Sequence, residues 1–595
     1  MFESVLVANR GEIAGRIIRA CRELGVRSVA VYSEVDADAP FVTLADEAYL
    51  LGPAPANASY LAIERIIAVA REAGVDAIHP GYGFLAENAA FAHAVADAGL
   101  VFIGPAPRAI EVMGDKLSAR LVALEAGVPV VPGTADPVTE VEEALAFGAA
   151  HGYPVAVKAM FGGGGRGMKV VREAGEMADA LESAQREAAA SFGRGECYLE
   201  RYLERPRHIE VQIVADQDGT TVHLGDRDCS LQRRHQKLIE EAPAPGLNPE
   251  VRTAIADAAI KVARAMAYVN AGTCEFLLDA DQTTFYFLEM NTRLQVEHPV
   301  TELVTGIDLV HTQLRIACGD GMGFKQEDVT VRGHAMEARI NAEDPHRGFL
   351  PTPGLITTLD PPLGPWARFD TAARSNYEVP SQYDSMIGKL VVWAADRDQA
   401  RARLRLALDE LRITGIPTTV PFHQLAVDHP AFAALTHSTM SVEREWELDQ
   451  MPASSTESPS KDLTATAPPS NRGHGHRTSR EVALTIGGET TYVTVYGTTT
   501  PRIEDGGMSR RQRERAAGAG NGGSDGPRLT APMQGVVVKL AVEDGTTVTA
   551  GDLICVLEAM KMENHIHAHR DGVVRFPHAA GTAVEKGAIL ATIGE

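Results

Sequence analysis

Apolar and polar positions along the first hundred residues follow a regular rhythm of short apolar runs and amphipathic segments. The apolar runs predict strands at 5–8, 28–32, 77–79 and 100–103, and the helical spacing between them predicts helices at 12–24 and 63–73. This alternation is typical of an open, mostly parallel sheet with helices on both faces. The sequence therefore predicts an N-terminal α/β domain over residues 1–114.

The C-terminal part carries a duplicated pattern of alternating apolar and polar residues. The spacing Gly-x-x-Val-x-x-Gly begins at Gly545 and again at Gly581, and an apolar pair follows each copy. Short strands between glycine turns, present twice, predict a small all-β barrel with approximate two-fold symmetry over residues 527–595. Lys561 lies between the halves, where a turn would present its amine for covalent modification.

A glycine-rich loop follows a buried-looking strand in the middle of the chain. The strand at 153–158 ends in Lys158, and residues 162–167 contain five glycines and one arginine. Glycines let the backbone approach a polyphosphate and direct N–H groups towards it, while the lysine supplies a counter-charge. Glycine runs are often only flexible loops, but the extended segments predicted at 197–203 and 208–214 strengthen the prediction of a phosphate site.

Two carboxylates are predicted to face each other on a hairpin. Strands at 273–278 and 285–291, joined by a three-residue loop around Asp281, would place Glu275 opposite Glu289. Opposed like charges are destabilising unless a cation lies between them, and Asn291 adds an oxygen on the same face. This donor set suits Mg²⁺. The alternative is a surface hairpin with two exposed glutamates, which the flanking phenylalanines disfavour.

Three polar side chains alternate along the segment that follows this hairpin. If the segment is extended, Arg293, Gln295 and Glu297 point the same way and offer a cation for a small anion, an amide to orient it and a carboxylate base. The basic run 233–237 adds positive charge. Each residue taken singly is also compatible with a surface salt bridge.

Composition narrows the classes of partner. The 595 residues are enough for three or four domains, and a net charge of −23 disfavours nucleic acid and anionic membranes. No apolar run approaches the roughly 20 residues of a membrane helix, and charges within residues 1–18 are atypical of a signal peptide. The six cysteines form no Cys-x-x-Cys pair. The sequence predicts a cytoplasmic protein without a disulfide framework.

Between the predicted domains the composition changes. A low-complexity linker rich in serine, proline and threonine is predicted at 446–480, and a glycine- and arginine-rich tether at 504–526. Between them a small β segment is predicted at 481–503, where a hairpin too small to be stable alone could dock a partner. A flexible tether of this length spans roughly 24–29 Å r.m.s.. Such a tether would let the C-terminal barrel move between sites.

The run Ala-Met-Lys-Met around Lys561 closely resembles the biotin attachment site of biotinyl carrier domains. The resemblance covers residues 529–595 and implies covalent biotin on Lys561, attached by a biotin protein ligase. His565 departs from it, since many relatives have proline there. His565, His567 and His569 would share a strand face and could bind a metal, although an exposed polar face is the simpler interpretation.

Residues 1 to about 445 resemble biotin carboxylases of the ATP-grasp superfamily. The likeness rests on Asn-Arg-Gly-Glu-Ile at 9–13, the loop 79–88, the glycine loop, the basic run 233–237 and Glu-Met-Asn-Thr-Arg at 289–293. It implies an N-terminal domain at 1–114, an ATP-grasp domain at 115–330 and a C-terminal domain at 331–445. The fold class expected for the whole chain is multidomain α/β, with a parallel-sheet N-terminal lobe, an ATP-grasp lobe, a mixed α+β lobe and the small barrel.

The same resemblance implies roles for individual residues. ATP would be held by Lys116, Lys158, Gly164, Gly165, Glu200, Arg201, Leu203, His208 and His235. Magnesium or manganese would be held by Glu275, Glu289 and Asn291. Bicarbonate would contact Lys237, Arg293 and Val296, with Gln295 beside it, Glu297 as its base and Arg339 stabilising the enolate of biotin. Two residues depart from the family pattern: Phe161 replaces a loop glycine, and Arg201 replaces a lysine.

The chain as a whole resembles the alpha subunit of a bacterial acyl-CoA carboxylase. Because no several-hundred-residue span is left for a carboxyltransferase, the resemblance implies a hetero-oligomer with a carboxyltransferase beta subunit. A carboxylase for another acceptor, such as pyruvate, urea or a branched enoyl-CoA, remains an alternative. A non-catalytic carrier and assembly protein is the other alternative, and Phe161 is its sequence hint.

Overall fold

The structure is a computed structural model. It describes residues 1–134, 136–159, 168–192, 196–452, 477–486, 489–498, 527–533, 535–559, 562–584 and 587–594. Residues 453–476 of the predicted low-complexity linker and the whole predicted tether at 504–526 therefore lie outside the described residues, whereas residues 477–480 of the linker belong to a strand. Among the described helices, none has the length and apolar character that a membrane crossing requires.

The N-terminal region is an open parallel sheet covered by helices, as predicted. Its strands are β1 (Ser4–Val7), β2 (Arg27–Ser33), β3 (Glu47–Gly52), β4 (Ala77–His79) and β5 (Val101–Phe102). Its helices are α1 (Gly11–Glu23), α2 (Pro40–Leu44), α3 (Ile63–Ala73), α4 (Ala89–Asp97) and α5 (Pro107–Gly114). The sheet order is β3-β2-β1-β4-β5, and β1 is buried along its whole length because helices cover both faces.

The next region contains the predicted glycine-loop strand and the carboxylate hairpin. Its helices are α6 (Lys116–Glu125), α7 (Val141–His151), α8 (Met177–Phe192), α9 (Pro249–Ala265), α10 (His298–Thr305) and α11 (Leu309–Ala317). Its strands are β6 (Val155–Ala159), β7 (Met168–Val171), β8 (Cys197–Arg201), β9 (Arg207–Ala215), β10 (Thr221–Arg233), β11 (Gln236–Ala242), β12 (Asn270–Leu278) and β13 (Phe285–Asn291). Strands β7, β6 and β8 form a separate antiparallel sheet.

The third region continues the sheet of the second. Its strands are β14 (His334–Asn341), β15 (Glu343–Asp344), β16 (Leu350–Pro351), β17 (Gly354–Ile356), β18 (Thr358–Asp360), β19 (Ala367–Thr371), β20 (Tyr377–Val379), β21 (Met386–Ala394) and β22 (Arg412–Thr414). Its helices are α12 (Arg397–Glu410), α13 (Val420–Asp428), α14 (Pro430–Ala433) and α15 (Ser441–Arg444). Leu390, Leu404 and Phe422, from β21, α12 and α13, share one hydrophobic core.

One eight-stranded sheet runs through the second and third regions in the order β13-β12-β9-β10-β11-β14-β21-β19. Strand β11 pairs antiparallel with β14, from Ile239 opposite Ala338 to Ala242 opposite Ala335. The sheet is therefore continuous across the boundary predicted at 330/331. Helix α10 packs on β14, β21 and β11 and covers one face of this junction.

The C-terminal part is all β. A hairpin of β23 (Arg477–Ile486) and β24 (Glu489–Thr498) precedes a barrel of β25 (Arg528–Thr530), β26 (Gly535–Leu540), β27 (Thr547–Val548), β28 (Leu553–Ala559), β29 (Met562–His567), β30 (Gly572–Arg575), β31 (Ala583–Val584) and β32 (Ile589–Gly594). Two four-stranded sheets form the barrel, which confirms the predicted all-β fold. Strand β28 ends at Ala559 and β29 begins at Met562, so Lys561 lies between these strands but outside the described residues.

Candidate active site

The opposed carboxylates on the β12–β13 hairpin are confirmed, although the loop that joins the strands was predicted wrongly. The loop spans residues 279–284 rather than three residues, and Leu278 pairs with Phe285 at its base. A bulge between Glu275 and Phe276 shifts the register by one residue and brings Glu289 opposite Glu275. Phe276 is fully buried, so the alternative of a surface hairpin does not hold.

The amine of Lys237 is the centre of the buried charge cluster. It contacts the carboxylates of Glu210, Glu275 at 3.0 Å and Glu297 at 2.7 Å, and the side chain is only 12% exposed. Burial alone would lower the pKa of Lys237, but the three carboxylates outweigh it and raise the pKa well above its usual range. Lys237 is therefore a fixed positive charge at neutral pH.

The carboxylates around this amine stay ionised for the same reason. Burial would raise the pKa of Glu275, but Lys237 and His208 outweigh it and hold the pKa below its usual range. The pKa of Glu297 is likewise held well below its usual range, because Lys237 and Arg339 outweigh its burial. His208 lies 2.9 Å from Glu275, which raises the histidine pKa against the effect of burial.

The segment 292–297 is not a strand, so the condition under which its side chains were expected to point the same way is not met. It consists of bends and a turn, and Glu297 is the residue that precedes helix α10. The turn still brings the three predicted side chains to the cluster. Gln295 donates to Glu275 Oε1 at 2.7 Å, and both Gln295 and Arg293 donate to Asn291 Oδ1, at 3.0 and 2.8 Å. A tight turn thus achieves the convergence that a strand was expected to provide.

A buried arginine, Arg227, holds the residues around Lys237 in place. The guanidinium of Arg227 is fully buried and donates to Glu210, Gln295 and Thr301. Because Glu210 also contacts Lys237, this arginine fixes the carboxylate that balances the central amine. The positions of the cluster residues are therefore set by buried partners rather than by solvent-exposed contacts.

Arg339 connects Glu297 to a further buried glutamate. Its Nη2 donates to Glu297 Oε2 at 2.8 Å, and its Nε donates to Glu240 Oε1. Burial would lower the pKa of Arg339, but Glu240 and Glu297 raise it above its usual range. Glu297 is thereby held between two permanent cations, Lys237 and Arg339.

Two N-terminal motifs reach the same cluster. Asn9 donates to the backbone oxygens of Pro80 and Tyr82, which joins the 9–13 motif to the 79–88 loop. Within these motifs, Tyr82 donates to Glu12. The fully buried Lys389 lies 3.1 Å from Glu12 and donates to the Val296 oxygen at 2.8 Å. The backbone of Val296 is thus positioned by a lysine from strand β21.

The residues predicted to hold a nucleotide are divided between this cluster and the neighbouring three-stranded sheet. Lys158 pairs with Glu200, and Arg201 pairs with Asp279 at 2.9 Å. Leu203 is buried beside Tyr286, which the Arg201 guanidinium also contacts. These contacts connect the small sheet to the carboxylate hairpin, to which Asp279 and Tyr286 belong.

Other predicted nucleotide residues lie apart or cannot be placed. Lys116 begins helix α6 and is exposed, and His235 lies at the exposed tip of the β10–β11 hairpin. His235 therefore does not join the buried cluster in this structure. Gly164 and Gly165 lie outside the described residues, as does Phe161, so the predicted effect of Phe161 on the loop stays a prediction.

The carboxylate hairpin fits a hard divalent cation. Glu289 lies opposite Glu275, and Asn291 Nδ2 donates to Glu289 Oε1 at 3.2 Å. Burial raises the pKa of Glu289, and the charge of Glu275 raises it further. A bound cation would relieve this repulsion, and two carboxylates with one amide oxygen form the donor set that magnesium favours.

Several cluster residues were not singled out from the sequence. Glu210 could have been found, because His208, Glu210 and Gln212 alternate with apolar residues along β9 and must share one face. Glu240, Arg227 and Lys389 gave no such signal, since their partners are distant in sequence. Lys389 in particular lies inside the largely apolar strand β21.

Family models match four parts of the chain. The family model of the biotin carboxylase N-terminal domain matches residues 1–110, and that of the carbamoyl-phosphate synthase L chain ATP-binding domain matches residues 115–324. The biotin carboxylase C-terminal domain matches residues 337–444, and the model described as biotin-requiring enzyme matches residues 527–593.

One relative is similar to the whole chain. The biotin-dependent acyl-coenzyme A carboxylase alpha3 subunit of Mycobacterium leprae is 47% identical, over 99% of this chain and 98% of its own length. A pyruvate carboxylase subunit of Methanothermobacter thermautotrophicus is 53% identical, over 73% of this chain and 88% of its own length.

A solved structure shows the same fold with ligands. The biotin carboxylase domain dimer of Hydrogenobacter thermophilus 2-oxoglutarate carboxylase, in complex with MgADP, ADP and bicarbonate, matches with a TM-score of 0.68 and 47% identity. The match covers 74% of this chain and 97% of that chain. The cofactors of this chain are accordingly biotin, ATP and magnesium. The chain is a biotin carboxylase joined to a biotin-requiring carrier domain, and it belongs to the family of biotin-dependent acyl-CoA carboxylase alpha subunits.

Proposed function

We propose that this chain carboxylates biotin on its own Lys561 and delivers the carboxyl group to an acyl-CoA of the acetyl or propionyl type. In this proposal the transfer to acyl-CoA takes place on a separate carboxyltransferase beta subunit. The similarity to an alpha subunit over 99% of the chain supports it, because that similarity includes both the carboxylase and the carrier. A biotin protein ligase would attach the cofactor.

The observation that carries the proposal is the placement of Glu297 between Lys237 and Arg339. Lys237 and Arg293 would bind the negative charge of bicarbonate, the Val296 backbone would contact it and Gln295 would orient it. Glu297 is 1% exposed and lies 2.7 Å from the Lys237 amine, so an anion bound by Lys237 would be within reach of this carboxylate as its base. These residues would create the nucleophile that the reaction needs.

The nucleotide would lie between the small sheet and the carboxylate hairpin. When bound, ATP with its metal supplies the phosphoryl group that activates bicarbonate. Glu275, Glu289 and Asn291 would hold magnesium or manganese, while Lys116, Lys158, Arg201, His208 and His235 would neutralise or orient the phosphates. The remaining contacts of the proposed nucleotide site are Gly164, Gly165, Glu200 and Leu203.

Arg339 would act on the other substrate. Its guanidinium is a permanent cation beside the base, where it would stabilise the enolate form of the biotin ureido group. Because the same arginine contacts Glu297, one residue would align the biotin with the site at which bicarbonate is activated.

The first experiment measures bicarbonate-dependent ATP hydrolysis by the purified chain with free biotin. We expect activity that requires magnesium and bicarbonate. Its absence in correctly folded protein would contradict catalysis and favour the carrier-and-assembly alternative.

The acceptor requires a second experiment. The chain would be co-purified with its carboxyltransferase partner, and the complex would be assayed with acetyl-CoA, propionyl-CoA, longer acyl-CoAs and pyruvate. We expect acyl-CoA to be carboxylated. Pyruvate is the second candidate acceptor, because a pyruvate carboxylase subunit is 53% identical to the carboxylase part. Turnover of pyruvate alone would replace the first proposal by the second.

A further inference from the structure

Glu337 is a buried carboxyl group that the proposed reaction does not use. It lies on β14, two residues before Arg339, so both side chains are on the same face of the sheet. Its side chain is fully buried, and within the described residues neither carboxyl oxygen has a hydrogen-bond partner. An ionised carboxylate in such a place would lose its hydration without gaining a partner, which is strongly unfavourable.

Glu337 lies directly opposite Glu240 on the neighbouring strand β11. Side chains in such cross-strand pairs have Cβ atoms about 4.5–5.5 Å apart. One oxygen of Glu240 accepts from Arg339, and the other, Oε2, has no partner among the described residues. Two glutamates thus face each other, and each has at least one carboxyl oxygen without a hydrogen-bond donor among the described residues.

The charges around this pair do not provide a cation for Glu337. The charged groups that act on the Glu337 carboxyl are Glu240 on β11, Glu297 before α10, Arg339 on β14 and Lys389 on β21. The cations among them already pair with other carboxylates, for example Lys389 with Glu12 and Arg339 with Glu240 and Glu297.

We propose that Glu337 is a neutral carboxylic acid whose O–H donates to the free oxygen of Glu240. In this arrangement Glu240 keeps its negative charge towards Arg339, and Glu337 satisfies the oxygen that Arg339 does not reach. The proton resides on Glu337 because the cation is on the Glu240 side. No proton is transferred during this positioning role, so the pair changes neither the stoichiometry nor the charge balance of the reaction.

The electrostatics of the pair agree with this arrangement. Burial raises the pKa of Glu337 well above its usual range, and the opposing effect of Lys389 does not offset it. Burial also raises the pKa of Glu240 to about 7, although Arg339 pulls it down. A pair of this kind holds one proton between its members at neutral pH.

The consequence concerns the base. Glu337 would fix Glu240, Glu240 would fix the Arg339 guanidinium through Nε, and Arg339 would fix Glu297 through Nη2. Glu337 is therefore a positioning residue two contacts behind the reacting groups. This role rests on the proposed function of Glu297 and Arg339, whereas the protonation of Glu337 does not.

The first test reads the proton directly. Infrared difference spectra of Glu337→Gln against wild type, in the full chain at neutral pH, should show the loss of a protonated carboxylic acid carbonyl band. Glu343→Gln is the matched control, because Glu343 is also buried but bonds to Ser385 and Asn341 outside the cluster. If the Glu337→Gln spectrum lacks only a carboxylate band, Glu337 is ionised and the inference is overturned, whatever the activity.

The second test reads the positioning role. Glu337→Gln keeps a neutral hydrogen-bond donor. Its kcat for bicarbonate-dependent ATP hydrolysis with free biotin should therefore stay within about twofold of wild type. Glu337→Met keeps the length but removes the donor, and kcat should fall about tenfold with little change in the KM for ATP. The Gln variant should also keep the wild-type pH profile, because it removes no charge.

Each remaining outcome is decisive. Equal loss of kcat in both variants, with an altered pH profile for Gln, would mean that Glu337 works as a carboxylate. Wild-type kcat in Met would show that Glu240 needs no donor. If Met fails to fold, the Gln infrared and pH data still decide the question. An inactive wild-type protein with the acid band present would instead contradict the proposed function alone.

Discussion

The carboxylase cluster and the carrier barrel each contain a lysine to which a function is assigned, and the proposed function makes opposite demands on the two lysines. In the cluster, three carboxylates hold the Lys237 amine of β11: Glu210 from β9, Glu275 from β12 and Glu297 from the turn before α10. In the barrel, Lys561, the lysine predicted to carry biotin, comes in the sequence after the last residue of β28 and before the first residue of β29, outside the described residues. The proposed function requires the Lys237 amine to stay fixed and charged, and it requires the Lys561 amine to be accessible and to lose its charge when biotin is attached.

The two sites also differ in how far apart their residues lie in the sequence. The cluster depends on contacts between residues far apart in sequence, such as Arg339 with Glu240, which are separated by 99 positions. The carrier site depends on a short run of neighbouring residues on a small fold. The effect of a substitution in the cluster should therefore extend to several other cluster residues, whereas the effect of one in the barrel should be confined to its neighbours.

The largest expected effect is at Lys561. Lys561→Arg keeps the positive charge but removes the nucleophilic amine, so biotinylation and coupled carboxylation should be abolished. Bicarbonate-dependent ATP hydrolysis with free biotin should remain. Intact-mass analysis after expression with a competent ligase checks the first statement, and a phosphate-release assay checks the second. Lys539→Arg, an exposed lysine on β26 of the same barrel, is the control and should be biotinylated normally. A biotin adduct on the Lys561→Arg chain would show that the attachment site is elsewhere.

The next largest effect is at Lys237. Lys237→Gln leaves three buried carboxylates without their shared cation, so kcat should fall by about 10²-fold or more. The free energy of unfolding should fall by roughly 3–5 kcal/mol. Steady-state kinetics and thermal unfolding measure the two effects. The exposed Lys261 on α9 provides the control, Lys261→Gln, which should change neither. Normal kinetics in Lys237→Gln would disprove its place at the bicarbonate site.

A smaller effect is expected at the metal hairpin. Glu289→Gln removes one oxygen ligand charge while keeping the fold, so the magnesium concentration for half-maximal activity should rise about tenfold or more. Direct Mn²⁺ binding, followed by electron paramagnetic resonance in the presence of ADP, should weaken in parallel. Glu378→Gln, at an exposed position on β20, should leave both curves unchanged. Unchanged Mn²⁺ binding in Glu289→Gln would remove this residue from the metal site.

The smallest effect is expected in the histidine-rich strand of the barrel. His567 lies on β29 and hydrogen-bonds with the Gly551 oxygen at 2.9 Å, whereas His569 follows the end of that strand. His567→Gln should change the free energy of unfolding by no more than about 0.5 kcal/mol and leave biotinylation unchanged. Adding Zn²⁺ to wild type and to this variant, with thermal unfolding as readout, should give equal curves. A zinc-dependent rise in Tm for wild type alone would establish a metal site there.

Much of this architecture follows from local pattern. Strand β4 and helix α3 have the bounds predicted from periodicity, because their apolar spacing is regular and their neighbours are helices or strands of the same sheet. The opposition of Glu275 and Glu289 was also predictable. The bulge that produces it was not, since a single extra residue leaves no distinct mark in the sequence.

The remaining features of the site depend on tertiary contacts, which the sequence pattern does not reveal. The extended form expected for 292–297 is replaced by a turn, because Gln295 and Glu297 find buried partners on three other elements. Lys389 stands in the largely apolar sequence of β21, and the fold places it against Glu12 from the other end of the carboxylase region. Such partners become visible only when the strands are assembled.

The pairing of β11 with β14 has a practical consequence for anyone dividing this chain into pieces. A fragment that stops at residue 330 would expose the β11 edge, with the backbone groups from Ile239 to Ala242 left without their neighbours. Exposed strand edges recruit other chains, so such a fragment should precipitate or form mixed aggregates. The carboxylase part of the chain should therefore be expressed and exchanged as one unit.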